Sequence, residues 1–129
     1  QVVEISEELQ TIEKEHIDGK INSKRVLFKT KNSKLLNKPY TKDITSLSIS
    51  AAEYLIERNV VLVGIDYTGI EASGSAGHPV HTKLLEKEIV IVEGINLSEV
   101  NPGNYELIVL PLRLKNLDGS PSRAILIQD

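Results

Sequence analysis

Val60–Asp66 reads VVLVGID, an apolar run with no polar side chain before its last residue. A strand with one wet face alternates apolar and polar residues, whereas an unbroken run is covered on both faces, as in the centre of a parallel sheet. The chain must therefore supply structure on each side of this segment. Helical spacing just before it meets part of that need: Ala51, Ala52, Leu55 and Ile56 form one apolar stripe on a helix running to about Asn59. Ser50-Ala51-Ala52-Glu53 has capping-box spacing, with Ile49 and Tyr54 as its staple and Ser48 as a rival cap.

The remaining elements follow from local signals. Val2–Ile5 and Arg25–Thr30 (RVLFKT) read as strands, and Glu7–Glu15 as a helix capped by Ser6 and ended by Gly19. Lys31–Asp43 is a polar loop long enough to serve a site or an interface. A small-residue loop, Glu71–Gly77, leads to a helix opening at about Pro79 and ending near Glu88, since Pro suits the first helical position. Ile89–Glu93 (IVIVE) is a short buried strand. Tyr105–Leu114 alternates like a strand with Pro111 near its end, and Asp118-Gly119 signals a two-residue hairpin returning as Arg123–Gln128. Strand, helix and strand in the middle with a hairpin at the end give a mixed α/β fold in one domain, residues 1–129.

Composition narrows the function. There is no cysteine, so a metal would be held by His and carboxylate, a donor set that suits zinc or manganese. With a net charge of −3, one Phe and no Trp, the chain has no nucleic-acid surface to offer. Its apolar runs are too short for a membrane span, and with no signal peptide a cytoplasmic location is expected. The chain begins Gln1-Val2-Val3 and contains no methionine, which leads us to expect folded sequence before it.

Three histidines are present: His16, His78 and His81. His16 falls at the end of a charged helix, where a cation complements the dipole and a surface role is expected. His81 lies in the first turn of its helix, with Leu84 and Leu85 three and four residues on, so it shares the inward face. The helix descends for roughly 10–12 Å at 1.5 Å per residue. Ile89–Glu93 then climbs back roughly 13 Å at 3.3 Å per residue. His81 and Glu93 thus return to the same end of the domain, where an imidazole and a carboxylate could share a metal. A satisfied polar histidine and an exposed strand-end acid remain the plainer reading at this point.

From His78 to Ile127 the chain shows an ordered series of motifs: His81 with Leu84-Leu85, IVIVEG at Ile89–Gly94, Gly103–Leu107 with Leu110–Leu112, and Asp118–Ala124, preceded by Val63-Gly64-Ile65-Asp66. This series resembles the C-terminal part of the cyclase family of metal-dependent hydrolases, which includes kynurenine formamidase. The resemblance implies a swivelling β/β/α domain with a mixed sheet and flanking helices, lacking its N-terminal segment. It implies His81 and Glu93 as ligands of zinc or manganese, and an amide or formamide as the small-molecule substrate, such as N-formylkynurenine or isatin. His78 does not fall on a ligand position of the family, and Asp66 reads as loop-structuring or as support behind the site. Tyr40 and Tyr67 are the loop aromatics that could stack on a substrate.

The family's other half-site resembles His-x-Gly-Thr-His-x-Asp-x-Pro-x-His, and nothing here matches it. Two protein ligands are fewer than the three of a catalytic zinc, so the chain alone is expected to be inactive, with no catalytic residue of its own. The resemblance also implies self-association or pairing with the missing segment. The alternative is a non-catalytic α/β assembly module or a decayed homologue.

Overall fold

Residues 1–128 are described by a computed structural model, whose elements in chain order are β1 (Val2–Glu4), β2 (Thr11–Ile12), α1 (Lys14–Ile17), β3 (Arg25–Lys29), a 3-10 helix (Lys31–Leu35), β4 (Ser46–Leu47), α2 (Ile49–Glu57), β5 (Leu62–Ile65), α3 (Pro79–Leu85), β6 (Val90–Val92), β7 (Glu106–Pro111) and β8 (Ser122–Ile127). The central sheet is parallel throughout, in the order β1-β3-β5-β6. The VVLVGID run supplies β5, all four of whose residues are buried.

Successive side chains of a strand point to opposite faces, and the two faces of this sheet build two cores. Val3, Val26, Phe28, Val63 and Ile65 pack with Ala51, Ala52 and Leu55 of α2 and with Val80 and Leu84 of α3. Val2, Leu27, Leu62 and Val92, from the other face, pack with Leu97 and with Leu107, Val109 and Leu126 of the antiparallel β7–β8 hairpin. The layers are helices, parallel sheet and hairpin, the α/β class with flanking helices that was expected, although the central sheet is parallel throughout and not mixed. Among the described residues no helix is long and apolar enough to cross a membrane.

Gly64 faces the hairpin side of β5, and its missing side chain sets the layer spacing there. A Cβ at this position would lie 2.5 Å from Leu27 Cδ2 and 3.2 Å from the Val92 carbonyl oxygen. Leu27 would have to swing aside, and the backbone of β6 cannot follow without breaking its ladder to β5. Gly64→Ala is therefore expected to lower stability by about 1–3 kcal/mol through overpacking. Urea unfolding followed by circular dichroism measures this, and an unchanged midpoint would contradict the close approach.

Four further expectations are corrected. Glu7–Glu15 is not a helix: it forms a turn, strand β2 and the start of the one-turn α1. A helix there would carry only Leu9 and Ile12 as apolar contacts. The extended path buries Ile12 completely and gives the Gln10 and Ile12 carbonyls the N–H groups of Ser46 and Ser48, both at 3.0 Å. Ser48, not Ser50, caps α2 and accepts from the Ala51 N–H at 3.1 Å, while Ile49 is 43% exposed and forms no staple. Ser50 instead accepts from the Lys14 N–H at 3.1 Å and donates to Glu13 Oε2 at 2.6 Å, tying α1 to α2.

β6 is an edge strand, so Val90 is 53% exposed where a buried strand was expected. The hairpin connection runs from Leu112 to Pro121 and is not a two-residue turn at Asp118-Gly119. A tight turn there would pair Leu117 with Ser120 and shift the register. The observed register sets Leu107 opposite Leu126 and Val109 opposite Ala124, and Leu107, Val109 and Leu126 all pack on the sheet. The longer connection leaves Leu112, Leu114 and Leu117 exposed beside Leu110, an apolar surface continuous with Val90 along the β6 edge.

Candidate metal centre

α3 and β6 lie side by side, and their sequence positions bring His81 and Glu93 together as the rise arithmetic requires. His81 Nε2 is 3.0 Å from Glu93 Oε1. Glu93 follows the last residue of β6 and is fixed from behind: its Oε1 accepts the Ile70 N–H at 2.7 Å, and the next residue, Gly94, donates its N–H to the Tyr67 carbonyl at 2.6 Å. Gly94 has φ 70°, the left-handed conformation that turns the chain away directly after the carboxylate. The loop leaving β5 and the loop leaving β6 are thereby stitched to each other beneath the pair.

A second acid joins the cluster. Glu71 is 5% exposed, and its Oε2 accepts the Val80 N–H at 2.7 Å in the first turn of α3. Its Oε1 is 2.8 Å from His78 Nδ1 and 3.3 Å from His81 Nδ1. The second of these approaches is out of line, so His81 Nδ1 is buried with no hydrogen-bond partner. Burial pushes the Glu71 carboxyl upward, but the Val80 N–H and the neighbouring His78 and His81 outweigh it and hold its pKa below the usual glutamate value. The carboxylate is thus anionic and enclosed.

Among the described residues, Glu71, His78 and His81 form one group of three whose ligand atoms lie within 4.8 Å of one another. Together with Glu93 the cluster offers imidazole nitrogen and carboxylate oxygen, the donors of zinc and manganese sites. A His–Glu pair at ligand spacing, backed by a buried acid kept ionised, is a fit for a divalent cation. His81 and Glu93 stand between two hollows. One is a cavity of 270 Å³ bounded by Tyr40, Tyr67 and Glu71, and the other a groove of 870 Å³ between β6 and the hairpin connection.

The other candidate residues take structural places. Asp66, fully buried at the tip of β5, accepts four hydrogen bonds from Thr30 and Ser33, which makes it a loop anchor. His16 Nδ1 accepts the Glu13 N–H at 2.9 Å and closes the capping box of α1. His78 is the N-cap residue of α3 and turns its ring onto Glu71. Tyr67 is buried with its hydroxyl shared with the Thr41 backbone, which removes it as a stacking surface, whereas Tyr40 is 65% exposed. Sequence reasoning missed Glu71. The signal was an acid set between apolar Ile70 and a small-residue loop, ten positions before His81, where no periodicity points to contact.

No protein-family model matches the chain. It is 34% identical over 128 residues to the kynurenine formamidase of Salinibacter ruber, covering 97% of this chain and 60% of that protein. It is 42% identical over 110 residues to cyclase-like protein 2 of Oryza sativa subsp. japonica, covering 81% of this chain and 40% of that one. A solved structure described as a potential metal-dependent hydrolase with cyclase activity superposes with a TM-score of 0.88 at 33% identity, over 98% of this chain and 62% of its own. The chain thus spans three fifths or less of the length of these curated relatives.

Proposed function

From a chain that is a relative of the cyclase-family metal-dependent hydrolases, we infer a contribution of two ligands, His81 and Glu93, to a divalent-metal centre that hydrolyses an amide or formamide bond. The observation that carries this reading is the 3.0 Å approach of His81 Nε2 to Glu93 Oε1 from two separate elements. The neighbourhood of relatives named kynurenine formamidase and cyclase-like protein gives it its chemistry. Zinc and manganese are the ions that the donor set suits.

When bound, a divalent ion lowers the pKa of a water and polarises the substrate carbonyl. The chain's own residues hold and orient. Glu93 enters as a carboxylate aimed by the Ile70 N–H, and His81 offers Nε2 from a helix whose Leu84 is fully buried in the core. The site lies at the mouth of the 870 Å³ groove, room enough for a small acyl amide. Two donors fall short of the three that a catalytic zinc takes from protein, and on this reading the further donors come from outside this chain. The apolar surface of Leu110, Leu112, Leu114 and Leu117 is where a second copy or a further segment would be covered.

Titration of the metal-stripped chain with Zn²⁺ and Mn²⁺, followed by assay of N-formylkynurenine hydrolysis, tests the reading. One equivalent of metal is expected to bind, with no turnover by the chain alone. Turnover is expected once a His- and Asp-bearing segment of the family is supplied. Absence of saturable one-to-one binding, or turnover that survives chelation, would overturn it.

A further inference from the structure

His81 presents its two ring nitrogens to two different carboxylates. Nε2 faces Glu93 Oε1 at 3.0 Å and Nδ1 faces Glu71 Oε1 at 3.3 Å. The two acids differ in surroundings. The Glu93 side chain is 29% exposed and opens to solvent, whereas that of Glu71 is 4% exposed and held by the Val80 N–H. His81 Nδ1 is itself buried without a hydrogen-bond partner. In the metal-free chain Nε2 is the nitrogen in hydrogen-bond geometry and donates to Glu93; a metal on Nε2 leaves the neutral ring with its N–H on Nδ1, beside the anionic Glu71 oxygen.

We propose that Glu71 is a positioning residue: with a metal on Nε2, it faces the His81 Nδ1–H and holds the ring in the tautomer and orientation that coordination needs. Carboxylates behind a metal-bound imidazole act in this way, fixing tautomer and ring orientation. The backbone of His78 supplies independent support. It has φ 46° and ψ 57°, a left-handed conformation that a residue before proline rarely adopts. That conformation brings His78 Nδ1 to 2.8 Å from Glu71 Oε1, and strain of this kind persists where the surroundings hold it. His78 thus braces Glu71, and Glu71 sets His81. This inference rests on the proposed metal reading, because without a metal Nε2 is the nitrogen that donates, to Glu93.

The test combines zinc titration with long-range ¹H–¹⁵N spectra of the histidine-labelled full chain at pH 8. Wild-type His81 is expected to donate from Nε2 before zinc is added and to carry its proton on Nδ1, with zinc at Nε2, afterwards. Glu71→Gln keeps an acceptor for the Val80 N–H but turns an amide NH₂ toward the imidazoles. It is expected to remove the acceptor for the Nδ1 proton and to weaken zinc binding about 10–100-fold, the usual loss when a supporting carboxylate is removed. His78→Ala is expected to weaken binding less than Glu71→Gln does. Zinc affinity within about twofold of wild type in Glu71→Gln, with an unchanged tautomer, would overturn the proposal. So would zinc on Nδ1, with His78→Ala as damaging as His81→Ala, because that places the ion among Glu71, His78 and His81. A wild-type chain that binds no zinc would sink the metal reading, whereas wild-type zinc binding that Glu71→Gln leaves unchanged would sink only the positioning role.

Discussion

His81→Ala and Glu93→Gln are each expected to weaken divalent-metal binding by at least about 100-fold while leaving the fold intact. A four-donor structural zinc is worth about 10–16 kcal/mol, roughly 3 kcal/mol for each donor, and 1.4 kcal/mol is a factor of ten. Two such donors place the dissociation constant at roughly tens of micromolar, and removing one leaves a single-ligand contact in roughly the millimolar range. Glu93→Gln is the sharper of the two because its amide oxygen still accepts the Ile70 N–H, so the loop geometry is kept while the charge is lost. His81 is a partly exposed residue on α3, and α3 is anchored by Val80 and Leu84. Its truncation therefore leaves the packing against α2 in place. His16→Ala serves as the control, since its Nδ1 is already used by the Glu13 N–H. Bound metal is read by elemental analysis and calorimetric titration, with thermal unfolding run in parallel. Metal retained at wild-type affinity in both variants would remove His81 and Glu93 from the site.

That pair was legible in the sequence because it depends on quantities a sequence carries. A helix rise and a strand rise, counted from His81 to Glu93, return the chain to one level, and the apolar run of β6 shows where Glu93 must emerge. The central strand was legible for a related reason, because VVLVGID leaves no polar face. Glu71 was not legible, since its contact with α3 passes through a loop whose path no periodicity sets. The burial that makes it an acceptor is a property of the folded surroundings. The segment Glu7–Glu15 failed in the opposite way. Its capping and charge signals are real, but Ile12 gains more by pairing with β4 and entering the core than a short polar helix could return. The Asp118-Gly119 dipeptide carries a turn signal of the same local kind. It is overridden by the register that places Leu107, Val109 and Leu126 on the sheet.

Asp66→Ala is expected to be the most destabilising single change, by about 3–5 kcal/mol, against a total of about 5–15 kcal/mol for a domain of this kind. Asp66 sits at the end of β5, fully buried, and takes the Thr30 N–H at 2.8 Å and the Thr30 hydroxyl at 2.7 Å. It also takes the Ser33 N–H at 3.1 Å and the Ser33 hydroxyl at 2.7 Å. These four bonds satisfy the carboxylate and fold the segment after β3 into its 3-10 turn, where fully buried Asn32 exchanges two hydrogen bonds with Thr45. Alanine leaves the buried Thr30 N–H without an acceptor and opens space beneath the turn. Asparagine separates the two effects, because Oδ2 takes three of the four bonds and Oδ1 only one. With its amide nitrogen in the Oδ1 place, Asp66→Asn keeps three acceptor contacts and confronts only the Thr30 hydroxyl, which can rotate and accept. Its loss should be about 1–2 kcal/mol, well short of that of alanine. Urea unfolding of the two variants by circular dichroism decides the matter. Equal losses in both would mean that the negative charge, and not the count of accepted bonds, is what holds the loop after β3 to the end of β5.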